Sequence, residues 1–194
     1  MNIPNMLTLL RIILIPVFVG AFYLPWSISN ELTTIIFALA AATDWFDGYL
    51  ARRWNQTSAF GAFLDPVADK LIVSTALVFL VQVHHTPWMA IPAAVIIGRE
   101  ITISALREWM AEIGQRTKVA VSMVGKIKTT AQMTALLLLL YHEPFLTLPT
   151  YEIGFVLLYI AAILTLWSMI VYLRAAVPIL MENAATNKVG TGIN

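Results

Sequence analysis

Apolar residues fill the chain in long runs, and the breaks between the runs are short. The runs cover 5–25, 32–52, 60–83, 88–110, 122–141 and 152–178, each close to the ~20 residues that a helix needs to cross the hydrocarbon core of a bilayer. The pattern predicts an all-α membrane protein with six spanning helices. Each break has a local cause. Pro25 with Trp26 and Ser27, Pro87 with Trp88, and Pro144 with Pro149 stop helices, at points where Trp and Tyr also settle at headgroup level. The run that follows Met1 lacks the basic segment of a secretory leader and is interrupted by Arg11, so it reads as the first helix. From Glu182 to Asn194 the chain turns polar, with Gly190, Gly192, Asn183, Asn187 and Asn194, and a disordered tail is expected over 182–194. Neither a repeat nor a linker divides residues 1–181, which are expected to form a single six-helix domain.

Composition narrows the picture. Of 194 residues, 59% are hydrophobic and 12% charged, with a mean hydropathy of +0.79, too little polar surface to coat a water-soluble globule. The absence of cysteine excludes disulfides, thiolate catalysis and Cys-ligated metals. The net charge of +1 says less than its distribution. Segments 25–31, 82–88 and 141–152 carry no Lys or Arg, only Glu31, Glu143, Glu152 and histidines, whereas eleven of the twelve cations, all but Arg99, fall on or near the other side. This is the positive-inside arrangement of an even number of spans with both termini cytoplasmic. His84 and His85 fall on the cation-free side and read as interfacial loop residues.

The chain has only four aspartates, Asp44, Asp47, Asp65 and Asp69, all within a stretch of 26 residues. Asp44 and Asp47 sit three apart near the cytoplasmic end of the second span, and Gly48 and Ala51 continue their face. Two carboxylates and two tiny side chains thus share one stripe, with Arg52 at the helix end. On the third span Gly61, Asp65 and Asp69 repeat at intervals of four. The short connection between the two spans predicts antiparallel neighbours whose four acids converge just inside the cytoplasmic surface. Pro66 disfavours helical geometry at Asp65, which places that residue either in the stripe or at the helix cap.

Four unpaired carboxylates in a membrane would cost roughly 10 kcal/mol, against a whole-protein stability of about 5–15 kcal/mol. A cation must be held there. Oxygen ligands without His or Cys suit Mg²⁺ or Mn²⁺, and two such metals close together stabilise in-line displacement at phosphorus. The competing reading is a set of surface ion pairs with Arg52, Arg53 and Lys70; it leaves the small-residue stripes unexplained.

The run Asp44-Trp-Phe-Asp47-Gly48-Tyr-Leu-Ala51-Arg52, followed after eight residues by Gly61 and then by Asp65 and Asp69, resembles the signature of the CDP-alcohol phosphotransferases at all eight fixed positions. Further runs resemble the bacterial members that act on glycerol 3-phosphate. These are Asn2-Ile-Pro-Asn5-Met-Leu-Thr8-Leu-Leu-Arg11, Gly98-Arg99-Glu100, Leu106-Arg107-Glu108-Trp109 and Gly125-Lys126-Ile-Lys128-Thr-Thr-Ala-Gln132. The resemblance implies a six-helix homodimer in the bacterial inner membrane, with its site open to the cytoplasm. It implies that Asp44, Asp47, Asp65 and Asp69 bind two divalent cations that hold the pyrophosphate of CDP-diacylglycerol, with Asp69 also the base. Gly48, Ala51 and Gly61 would lie against the nucleoside and Arg52 against its phosphates, with Asn5, Thr8 and Arg11 approaching the same site. The implied reaction joins the phosphatidyl group to sn-glycerol 3-phosphate and releases CMP, the committed step toward phosphatidylglycerol and cardiolipin.

The acceptor needs its own argument, because the family uses several. From Arg107 to Lys128 the chain carries Arg107, Arg116, Lys118, Lys126 and Lys128 against Glu108 and Glu112, which suits an anionic acceptor such as glycerol phosphate or inositol phosphate. Positive-inside bias alone also puts cations here. Arg99 is different, lying about 16 Å into the fourth span from Trp88. It is read either as a ligand for the acceptor phosphate, with Arg107, Lys126 and Lys128, or as an ion-pair partner of Glu100 or Glu31. A divalent-cation transporter is the alternative from another class, but its sites belong near the midplane within repeats, and here the acids sit toward one face.

Overall fold

The computed structural model describes residues 3–25, 28–54, 59–114, 123–144 and 148–190. Among them are six helices: α1 (Ile3–Phe22), α2 (Ser29–Trp54), α3 (Ala59–His84), α4 (Pro87–Glu112), α5 (Met123–Tyr141) and α6 (Thr150–Gly190). Their limits follow the apolar runs to within a few residues, except at the C-terminus. Local chemistry explains the ends. Thr86 is extended (φ −117°, ψ 143°) and Pro87 opens α4, where its missing N–H costs nothing. Gly114 follows α4 at φ 73°, the left-handed geometry that closes helices and that glycine adopts without strain.

One expectation is corrected and one open alternative is resolved. The tail expected to be disordered from Glu182 continues α6 to Gly190, while 191–194 lie outside the described residues. Glu182, Ala184, Ala185 and Lys188 are good helix formers, and extending an existing helix costs far less than nucleating one. Asp65 is no helix cap. Pro66 lies inside α3, which begins at Ala59, so Asp65 and Asp69 share one face, and packing further along α3 offsets the lost backbone hydrogen bond.

Among the described residues, three helical stretches are long and apolar enough to cross a membrane, Phe63–His84, Pro87–Glu112 and Thr150–Val177; Met6–Phe22 and Ile127–Tyr141 are apolar but shorter. The outside of the bundle matches. Ile13, Leu39, Phe63, Val78, Ile163 and Trp167 are each more than half exposed, a coat suited to lipid rather than water.

The interior is aliphatic, with Ile36, Ile72, Leu77, Met89, Ile96, Leu136 and Leu158 buried together, and an aromatic group closes one end of it. There Phe79 stacks on Phe22 at 4.2 Å and on Phe18 at 5.7 Å between ring centres. Tyr23 donates to Gln82 at 2.8 Å, and the rings of His84, His142 and Tyr151 gather within 5.4 Å. The breaks after α1, α3 and α5 are therefore at the same end of the bundle, and the aspartates are at the other.

Among the described residues, the most extensive helix pairing is between α5 and α6. A Cβ on Gly154 would lie 3.0 Å from Leu138 Cβ and Leu139 Cγ and 3.2 Å from the Ala135 carbonyl oxygen, so any side chain here requires its α5 neighbours to give way by a few tenths of an ångström, and glycine lets the helices approach closely without that. Gly154→Val is expected to cost about 1–3 kcal/mol through overpacking, measured as a fall in the thermal unfolding midpoint in detergent. Gly98→Ala, where a Cβ meets nothing within 4 Å, should keep the wild-type midpoint or exceed it.

Candidate active site

The acidic end is organised around α1. α2 and α3 touch, as expected of neighbouring helices, and each packs more extensively on α1 than on the other. Two α1 side chains explain the arrangement. Thr8 and Arg11 are both almost wholly buried. Thr8 Oγ1 donates to Asp65 Oδ1 at 2.5 Å. A single nitrogen of Arg11, Nη1, donates to Asp69 Oδ1 and lies 3.1 Å from Asp44 Oδ1. A guanidinium with none of its surface exposed would be prohibitively costly without such partners. The two aspartates keep 42% and 40% of their side-chain surface exposed, so they can still be reached from the adjoining cavity.

This geometry tests whether the acids suit a divalent cation. Carboxylate oxygens from two helices converge on one positive atom, and every donor is a hard oxygen, the set that Mg²⁺ or Mn²⁺ prefers. The residues fit. Among the described residues no three His, Asp or Glu side chains are gathered as a ligand set; Asp65 accepts from Thr8, and Arg11 contacts both Asp44 and Asp69. Gly61 is buried on α3. The side chains at Asn5, Asp47, Gly48, Ala51, Arg52 and Lys126, together with residues Arg116 and Lys118, lie outside the described residues.

A cavity of about 700 Å³ opens from the acids toward α4 and α5. Asp44, Asp65 and Asp69 line it at one side, and Arg99, Glu100, Arg107 and Lys128 at the other. The cations are held by side-chain partners. Glu100 Oε1 accepts from Arg99 Nη1 at 2.7 Å and from Lys128 Nζ at 2.9 Å. Arg99 Nη2 also donates to Ser168 Oγ at 3.1 Å. Arg107 donates to the Tyr172 hydroxyl at 2.7 Å, its guanidinium carbon 5.2 Å from the centre of that ring. Arg99 pairs with Glu100, as one of its two readings expected, and it also lines the cavity.

Sequence reasoning weighed Lys70 only as an ion-pair partner of the aspartates, whereas it lines the same cavity and donates to Ser104, and it passed over Ser168 and Tyr172, which position the arginines. It weighed Glu100 only as a structural partner. An acid beside Arg99 in mid-span was the one available signal, since an unpaired charge at that depth is costly. His84 and His142 are at the other end of the bundle and take no part in the cavity.

An apolar helical bundle in which carboxylates and cations face one cavity suits chemistry on a phosphate-linked lipid at a membrane. The chain belongs to the CDP-alcohol phosphatidyltransferase family, whose model matches residues 1–167. It is similar over nearly its whole length to proteins named CDP-diacylglycerol–glycerol-3-phosphate 3-phosphatidyltransferase. It shares 58% identity with that of Yersinia enterocolitica over 94% of this chain and 98% of the relative. Identity is 59% with that of Pectobacterium atrosepticum (93% and 98%) and 57% with that of Salmonella paratyphi A (90% and 94%).

Proposed function

We propose that the protein transfers the phosphatidyl group of CDP-diacylglycerol to the hydroxyl of sn-glycerol 3-phosphate, giving phosphatidylglycerophosphate and CMP. It does so as a homodimer of six-span subunits in a bacterial inner membrane, with residues 1–181 forming the catalytic unit and both termini and the cavity on the cytoplasmic side. The observation that carries this reading is the single cavity with carboxylates at one side and paired cations at the other. A donor that needs metal and an acceptor that carries phosphate call for that division.

In this mechanism Asp44, Asp47, Asp65 and Asp69 hold two divalent cations, Mg²⁺ or Mn²⁺, which when bound supply positive charge against the donor pyrophosphate. Gly48, Ala51 and Gly61 leave room for the nucleoside, and Asn5, Thr8, Arg11 and Arg52 approach its phosphates. At the other side Arg99, Arg107, Lys126 and Lys128 bind the acceptor phosphate and aim its free hydroxyl at the β-phosphorus. The hydroxyl oxygen bonds to that phosphorus, the bond from it to the bridging oxygen breaks, and CMP leaves with the electron pair. Asp69 takes the hydroxyl proton.

The direct test is CMP release from CDP-diacylglycerol by the purified protein, with Mg²⁺ or Mn²⁺ and each acceptor in turn. Release with sn-glycerol 3-phosphate, abolished by EDTA, is expected. Release only with inositol phosphate or serine would replace the acceptor, and no release with any acceptor despite bound metal would overturn the enzymatic reading.

A further inference from the structure

The position of Arg11 has a consequence for how metal enters the site. Its side chain has no exposed surface, and one of its nitrogens contacts both Asp44 and Asp69. Those two acids come from α2 and α3, helices that meet each other far less than they meet α1. Two carboxylates facing one another would repel across a poorly screened gap, and the guanidinium between them removes that repulsion. A divalent cation bound by the same oxygens would meet a positive charge within ion-pair distance. Arg11 and the metal therefore satisfy the same need and oppose each other.

We propose that Arg11 competes with metal for Asp44 and Asp69: its guanidinium pairs with both acids and must release at least one of them for metal to bind, so it lowers the affinity for metal. This rests on the proposed function only in taking the aspartates as metal ligands. Arg11 is a positioning residue here, acting through the carboxylates. The pairing turns metal binding into an exchange of one cation for another. The released guanidinium would then be free to pair with another anion at the site, and a donor phosphate is the anion the proposed reaction brings there.

The experiment compares wild type, Arg11→Gln and Arg11→Lys by thermal unfolding in EDTA and in saturating Mn²⁺, and by Mn²⁺ titration followed by electron paramagnetic resonance. In EDTA, Arg11→Gln should unfold several degrees below wild type. Saturating Mn²⁺ should recover most of that loss, so its metal-induced shift exceeds that of wild type. Its Mn²⁺ affinity should be about fivefold or more above wild type, the scale of an ordinary coupling between two sites. Arg11→Lys, which keeps the charge but has a single ammonium in place of the guanidinium fork, should fall between the two, and it carries the test alone if Arg11→Gln does not fold. An equal loss of stability with and without metal, or weaker Mn²⁺ binding in both variants, would overturn the proposal. Failure of wild type itself to bind Mn²⁺ would instead overturn the metal-site reading on which it rests.

Discussion

Asp69→Asn is expected to lower the rate of CMP release at saturating substrates by about 10³-fold or more. Asp69 combines two roles in the proposed reaction, and loss of general-base assistance alone is worth about 10²- to 10⁴-fold. The substitution keeps the shape of the side chain but removes the charge that faces both Arg11 and the cavity. Arg11 would keep Asp44 as an ionised partner, so the fold should survive, which far-UV circular dichroism and the unfolding midpoint would establish. Asp65→Asn is the informative comparison, because Asp65 accepts a hydrogen bond from Thr8 in place of a cation. It should impair metal binding without removing the base, so excess Mn²⁺ should restore more of its activity than that of Asp69→Asn. Asp69→Asn within tenfold of wild type would exclude Asp69 as the base.

The second large effect is expected at the opposite side of the cavity. Lys128→Ala should raise KM for sn-glycerol 3-phosphate about 10- to 100-fold, with a smaller change in kcat, because a charge-assisted hydrogen bond is worth about 1.5–3 kcal/mol. The lysine side chain is only 8% exposed and is held by Glu100, so its ammonium is placed in advance and little ordering is needed when an acceptor arrives. Arg99→Ala should act in the same direction. In each single variant Glu100 retains the other cation, which limits the loss of stability. Steady-state kinetics with the acceptor varied at saturating CDP-diacylglycerol separates KM from kcat. An unchanged KM in both variants, with intact folding, would remove this cation pair from the acceptor site and reduce it to an ion pair inside the bundle.

The aspartate motif was legible in the sequence because its spacing, three residues on α2 and four on α3, is short-range and periodic. The cations were harder to read. Arg107 and Lys128 lie where positive-inside bias alone would put basic residues, and nothing local marks Lys128 as buried or Arg107 as resting on Tyr172. The limit of α6 was misread for a different reason. Loss of the apolar face was taken as loss of the helix, whereas Ala184, Ala185 and Lys188 continue it by backbone propensity alone. Asp65 was left open between two geometries because the bias from Pro66 is real, and only the helical turns on both sides of it override that bias.

By itself the sequence determined the six helices, the gathering of acids at one end of the chain's second and third helices, and the family to which the chain belongs. Hydropathy, helix period and motif spacing are properties of neighbouring residues. Only the tertiary structure decided that α1 reaches Asp65 through Thr8 and Asp69 through Arg11, across separations of 57 and 58 residues. It likewise decided that Arg99 and Lys128 meet on one oxygen of Glu100. A buried charge requires some partner of opposite sign, but which partner it finds depends on how the helices pack, and no local preference along the chain specifies that.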